Sequence, residues 1–243
     1  RATELAEIIR SARFAVQTVE QRESQKRPSP PFTTSTLQQV ASHRLGFSAK
    51  ATMKVAQDLY EAGHITYMRT DSTNLATEAV TSVRRFIEQT FGSEFRPEQP
   101  VRYQTKAKGA QEAHEAIRPT DPSKRAVELS LASERHEKLY ELIWQRMVAS
   151  QMSPARVRAT TVTIAAGEAT FRATGSVIEF PGYLKVWPTD TQDSLLPALT
   201  KGDPLTLTNL ATDQHFTEPP PRYSEATLVK ALDNEDDRIK IVA

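Results

Sequence analysis

The chain has 243 residues, 25% charged and 38% hydrophobic, the balance of a folded globular protein and not of a disordered one. Lys and Arg number 31 against 30 Asp and Glu, leaving a net charge of +1, so a nucleic-acid surface can arise only by segregating charge. The absence of cysteine excludes a disulfide framework, a thiol nucleophile and Cys-ligated zinc, and no apolar run approaches the roughly 18 residues of a membrane span.

These features fit a cytoplasmic protein. The chain starts at Arg1 without a signal-like segment and reads as a piece of a longer protein. Residues 4–12 predict a short helix, with Leu5, Ile8 and Ile9 on one side. ARFAVQTVEQRE then alternates like a strand, placing Phe14, Val16 and Thr18 on one face. The Pro/Ser/basic run SQKRPSPPF reads as a connector.

A helical block follows. Thr34 or Ser35 caps a helix with Leu37, Val40, Ala41 and Leu45 inward, stopped by Gly46. Ser48 caps a second helix with Ala49, Met53, Ala56, Leu59 and Tyr60 inward, ended by Gly63. Two helices across a tight turn, followed by the β-prone HITYMR, predict a winged-helix arrangement with Tyr67 on or beside the wing. A third helix carries Leu75, Ala79, Val83, Phe86 and Ile87 inward. A polar loop over 93–111 holds Lys106, Lys108 and Gly109, and SERHEKLYELIWQRMVASQM predicts a long helix closed by Pro154. From Arg156 the period becomes two, with strands expected in RVRATTVTIAAG, ATFRATGSVIEF, GYLKVWP and DPLTLTNL. The expected architecture is α+β and multidomain. Residues 1–31 and 155–217 form a β-rich domain, 32–154 an inserted, mainly helical winged-helix-like domain, and 218–243 the start of a further helical domain.

The chemistry gathers around Tyr67. On a strand Tyr67 and Arg69 share a face, with Ile65 beneath. A phenol titrates near ~10, so about one in a thousand is ionised at neutral pH. A neighbouring guanidinium favours the phenolate and binds phosphate bidentately. Tyrosine as nucleophile and arginine as phosphate clamp therefore make a phosphoryl-transfer pair. The ordinary alternative is a buried tyrosine beside a solvated arginine. In HEAIRP, His114 and Arg118 are neighbours if the segment is a helical turn, and both can donate to phosphate; the ordinary alternative is a surface pair worth a few tenths of a kcal/mol. His43, His64, His136 and His215 show no metal-ligand spacing. The acidic run Asp233 to Asp237 reads as a solvated end more readily than as a magnesium site. No Gly-rich phosphate loop or Walker-type lysine is present, so no ATP site is expected.

EAGHITYMRTDSTNL resembles the active-site tyrosine motif of bacterial type IA DNA topoisomerases. PPFTTSTLQQVASHRLGFSAKATMKVAQDLYEAG resembles the segment upstream of it, QEAHEAIRPTD the family's histidine motif, and PPPRYSEATLVKAL the returning segment. Met68 and HEAIRP are similar to the topoisomerase I branch. The resemblance runs in order over roughly residues 5–232, and implies the central part of a four-domain toroid: a β-rich arch and the domain bearing the tyrosine. It implies ATP-independent relaxation of negatively supercoiled DNA by transient cleavage of a single strand. In that reaction Tyr67 takes the 5′ phosphate, a 3′ hydroxyl is freed, another strand passes, and the hydroxyl reseals the break. By the same resemblance Arg69 stabilises the scissile phosphate, His114 contacts DNA supported by Arg118, and Gln57 and Glu61 lie near the site. Magnesium is expected for the intact enzyme, with ligands in a Toprim domain outside this chain. The chain alone is then expected to be inactive, monomeric and a weak, salt-sensitive DNA binder. After Leu232 the family's Gly-Ile-Gly-Arg-Pro-Ser-Thr is replaced by DNEDDRIKIVA. The competing readings are a non-catalytic winged-helix module, which accounts for the two helices but not for the tyrosine-arginine pair or the β-rich part, and a purely structural fragment.

Overall fold

A computed structural model describes residues 2–103, 114–189 and 193–233. The chain divides into two compact units, one within residues 1–26, 155–181 and 189–220, the other within 27–154, 182–188 and 221–243. The helical unit is thus inserted between two strands of the sheet unit. Lys106, Lys108 and Gly109, and nearly all of the 233–237 acidic run, lie outside the described residues.

The sheet unit begins with α1 (Ala2–Arg10) and is built on β1 (Phe14–Lys26), β2 (Ala155–Ala166), β3 (Ala169–Phe180) and the two-residue β4 (Pro204–Leu205). The strands are antiparallel in the order β3-β2-β1-β4. Phe14 to Lys26 pairs with Ala166 to Ala155, with one irregularity between Val16 and Thr18. β2 and β3 form a hairpin whose two-residue loop needs a left-handed first position, supplied by Gly167 at φ 62°. Val16, Val157, Val162 and Ala166 are buried while most of β1 stays exposed.

In the helical unit, α2 (Thr34–Leu45) and α3 (Ala49–Glu61) are separated by Gly46, Phe47 and Ser48. Thr33 caps α2, its hydroxyl accepting from the Thr36 amide, and Gly46 closes it in the left-handed conformation at φ 67°. The cap lies one residue earlier than the sequence predicts, which frees Thr34 for another use. Ser48 caps α3 as expected. α4 (Thr77–Phe91) and α5 (Glu134–Ser150) follow, and α6 (Glu225–Asp233) packs on α2. So residues 225–233 join the helical unit instead of starting another. The wing is not a paired hairpin either: residues 64–69 make a single bridge, Ile65 to Pro119. Residues 182–188, read as a strand, contain a 3-10 turn over Gly182–Lys185, because Tyr183 donates its amide back to the Ser153 carbonyl.

The core of this unit is organised by α5. Its Trp144 is 1% exposed, meets the Phe86 ring edge-on at 5.8 Å and is covered by the Arg125 guanidinium at 4.2 Å. The indole N–H donates to the Pro122 carbonyl at 2.8 Å, and the Tyr140 hydroxyl to the Lys124 carbonyl at 2.9 Å. These bonds fasten residues 121–125 onto α5; burial drives the Tyr140 phenol well above its ordinary pKa. Replacing Trp144 with alanine removes the largest core side chain and orphans the Pro122 carbonyl. The expected cost is about 3–5 kcal/mol, read as a lower denaturation midpoint by intrinsic fluorescence or circular dichroism.

Candidate active site

Residues 64–72 belong to no strand and bend at His64, Thr66 and Met68, so their backbone polar groups need partners elsewhere. Two neighbouring segments provide them. The Thr66 amide donates to the Arg118 carbonyl at 2.9 Å, the Thr66 hydroxyl donates to the Ala116 carbonyl at 2.7 Å, and the Thr120 amide donates to the His64 carbonyl at 3.0 Å. Residues 116–120 are themselves held by Phe32, whose carbonyl accepts from the Ile117 amide at 2.8 Å. On the other side lies Thr34. Its amide donates to the Thr70 carbonyl at 2.9 Å, while its hydroxyl donates to the Met68 carbonyl at 2.8 Å and accepts from the Thr70 amide at 2.9 Å.

This fastening fixes which side chains face solvent. Met68, Thr70 and Ser72 are buried; Tyr67, Arg69 and Asp71 alternate with them and are exposed. Tyr67 and Arg69 therefore share a face, as two-residue spacing predicts. Ile65 does not lie beneath them: it is 1% exposed and turned to the core, because the alternation resets at Thr66 where the segment bonds residues 116–118. Tyr67 is 50% exposed, and its hydroxyl makes no hydrogen bond among the described residues. Its ring rests edge-on against Tyr60 at 5.2 Å. Tyr60, expected to face inward, is 40% exposed for this reason.

Gln57, Tyr60 and Glu61 occupy one face of α3 at i, i+3 and i+4. Since Tyr60 touches Tyr67, that face is the one presented to the tyrosine. The Gln57 side-chain amide donates to the Glu61 carboxylate. His114 is half exposed, with Nδ1 3.9 Å from the Asp71 carboxylate. Residues 114–119 are not a helical turn. They run extended with isolated bridges at Ile117 and Pro119, because Pro119 disfavours helix at the residue before it and the backbone pairs with Phe32 and Ile65 instead. His114 and Arg118 are thus not i,i+4 neighbours on a helix face. Arg118 is turned to Glu115, with Nε to Oε1 at 2.7 Å and Nη2 to Oε2 at 2.9 Å, and its third donor reaches the Pro119 carbonyl. Glu115 also accepts from the Ala76 amide at 2.7 Å, ahead of α4. This guanidinium braces the fold, whereas Arg69 and His114 lie open.

What the sequence did not show is the bonding role of Thr34, Thr66 and Glu115. Thr34 was legible only as a possible helix cap; its partners lie 34 and 36 residues away, beyond any local signal. No group of three or more His, Asp or Glu side chains among the described residues could hold a metal ion. The open chemistry at the site is that of a phenol, a guanidinium and an imidazole. Among the described residues no helix is long and apolar enough to cross a membrane.

The family model described as DNA topoisomerase matches residues 1–237. The chain is 49% identical over 230 residues to DNA topoisomerase 1 of Pseudomonas aeruginosa and 49% identical over 229 residues to that of Escherichia coli. Each match covers 93% of this chain and 26% of the relative, so the chain spans about a quarter of the length of these curated relatives. Among solved structures, full-length topoisomerase I from Thermotoga maritima is 35% identical, with a TM-score of 0.84, over 96% of this chain and 39% of that one.

Replacing Thr34 with valine keeps the shape but deletes the hydroxyl that serves both Met68 and Thr70. It should cost about 1–3 kcal/mol, with faster amide exchange at Thr70, and Thr34→Ser should recover most of the loss. A Thr34→Val chain as stable as the parent, with unchanged Thr70 exchange, would show that the hydroxyl does not fasten the segment.

Proposed function

The chain belongs to the DNA topoisomerase family, and from that premise we propose that it carries the nucleophile half of a type IA active site. The Tyr67 phenol loses its proton and attacks a backbone phosphorus of single-stranded DNA. The bond from phosphorus to the 3′ oxygen breaks, that oxygen takes up a proton as the free 3′ hydroxyl, and the 5′ phosphate stays on the tyrosyl oxygen. After another strand has passed, the 3′ hydroxyl attacks the phosphotyrosine and returns the proton to the phenol. One phosphodiester is exchanged for another, so the chemistry needs no ATP; relaxation is driven by negative supercoiling.

The observation that carries this reading is the pairing of an exposed tyrosine hydroxyl, without an intramolecular partner among the described residues, with an exposed Arg69 on the same side of a fastened segment. A guanidinium there meets the charge that grows on the phosphate oxygens in the transition state. His114 adds a donor on the neighbouring segment, while Glu115 and Arg118 hold that segment in place. Gln57 and Glu61 approach from α3. In the intact enzyme magnesium would be held by ligands outside this chain and would supply neutralisation of phosphate charge. A non-catalytic winged-helix module is the weaker reading, since a regulator's DNA-reading domain gives no reason to expose this pair.

Tyr67→Phe in the full-length protein should abolish covalent DNA capture, and Arg69→Ala should slow cleavage by about 10²–10³-fold. Both are read by denaturing-gel trapping of a labelled oligonucleotide. The 243-residue chain alone should give negligible nicking of plasmid in the presence of magnesium. Full adduct formation by Tyr67→Phe would refute the proposal.

A further inference from the structure

A net charge of +1 spread evenly would leave the chain indifferent to DNA, and beside the segment that carries Tyr67 the charge is not spread evenly. A groove of about 670 Å³ opens in the helical unit between α4 and residues 96–103. It is lined by Arg84, Arg85, Arg96 and Arg102, against Glu88 as the one carboxylate among the described residues that line it. Two of these cations are structural. Arg84 donates to the Pro97, Glu98 and Gln99 carbonyls at 2.7, 2.9 and 3.1 Å, holding residues 97–99 against α4. Arg96 pairs with Glu88, its Nε 3.2 Å from the carboxylate. Arg85 and Arg102 are exposed and form no hydrogen bond or ion pair among the described residues. The groove thus presents two uncommitted guanidinium groups over a wall already positive.

Three further features favour an anionic backbone as the occupant. Burial, and then repulsion from Arg96, lowers the Arg84 pKa, so positive charge is crowded here beyond what Glu88 offsets. Thr77 in the first turn of α4 lines the groove, and Ala76 gives that helix end no side-chain cap, its own amide being taken by Glu115. Asn74, exposed on the rim, ends the chain run that starts at Arg69; five residues span at most about 18 Å. Guanidinium, amide and hydroxyl groups, with helix N-termini, are what contact phosphate oxygens without reading sequence.

We propose that this groove is a second phosphate-backbone site, which holds the single strand as it leaves the Tyr67 centre. The inference rests on the reading of Tyr67 as a DNA nucleophile for its substrate, but not for its measurement. Arg85 and Arg102 form the ion pairs with the strand; Arg84 and Arg96 shape the wall. The partner is a single strand because the chain run from Arg69 to Asn74 keeps the rim within about 18 Å of the centre read as cleaving a single strand.

The test compares the 243-residue chain with Arg85→Glu/Arg102→Glu and with a charge-matched control, Arg22→Glu/Arg172→Glu, at exposed positions on the sheet. Fluorescence anisotropy follows a labelled dT oligonucleotide over a salt series. The groove variant should bind roughly tenfold more weakly at low salt, and its salt slope should be about 1.4 smaller, at about 0.7 for each single-strand phosphate that is no longer neutralised. The control should match the parent. Equal losses in both variants, unchanged binding in the groove variant, no binding by the parent at low salt, or a loss confined to duplex DNA would each overturn the proposal. Circular dichroism of the variants guards against misfolding; because both arginines are exposed and unpaired, native spectra are expected, and Arg85→Gln/Arg102→Gln gives the same slope test should the reversals disturb the fold. A missing Tyr67 adduct in the full-length protein refutes the nucleophile reading and leaves this comparison standing, and the reverse also holds.

Discussion

The site depends on how a segment outside any strand satisfies its backbone. Residues 64–72 are bonded by residues 116–120 on one side and by Thr34 on the other. Each unpaired buried donor or acceptor would cost about 1–3 kcal/mol, so these bonds hold the segment to one conformation. In that conformation Met68, Thr70 and Ser72 anchor while Tyr67, Arg69 and Asp71 project. On the proposed reading of Tyr67 as nucleophile and Arg69 as phosphate clamp, groups fixed in this way need little reorganisation when a substrate arrives. The α5 core matters because it fastens residues 121–125 just beyond the 116–120 strap.

Local signals made much of this legible. Helical spacing placed Leu37, Ala41, Ala56, Leu59, Val83 and Ile87 in the core, and Gly46 at the end of α2. Period-two alternation located β1, β2 and β3. It misled at residues 182–188, where a tertiary bond to Ser153 curls the chain into a 3-10 turn. It misled again at Ile65, since alternation holds only while a segment keeps the same partners. The Tyr67–Arg69 pair was visible in sequence because a two-residue spacing is local. The long-range bonds of Thr34, and the Glu115 carboxylate that occupies Arg118, were not, because their partners are set by the fold. A helical i,i+4 reading of His114 and Arg118 failed because Pro119 and the two isolated bridges keep that segment extended.

The arginines illustrate how fold decides the use of charge. Arg118 and Arg84 have their donors taken by a carboxylate and by carbonyls, and they hold segments together. Arg146 is buried against Phe32 and Trp187, donates to the Pro30 carbonyl, and has its pKa lowered to about 10 by burial. Arg69, Arg85 and Arg102 are exposed. A composition balanced to +1 can therefore still place exposed cations together locally, as at Arg85 and Arg102.

The central claim is that the phenol of Tyr67 is the atom that takes the phosphate. The most direct measurement is peptide mapping by mass spectrometry of the full-length protein trapped on an oligonucleotide. The tryptic peptide that runs from Val55 to Arg69 contains Tyr60 and Tyr67. The account predicts the nucleotide mass on Tyr67, with Tyr60 unmodified; an adduct on Tyr60, or on any other peptide, would contradict it.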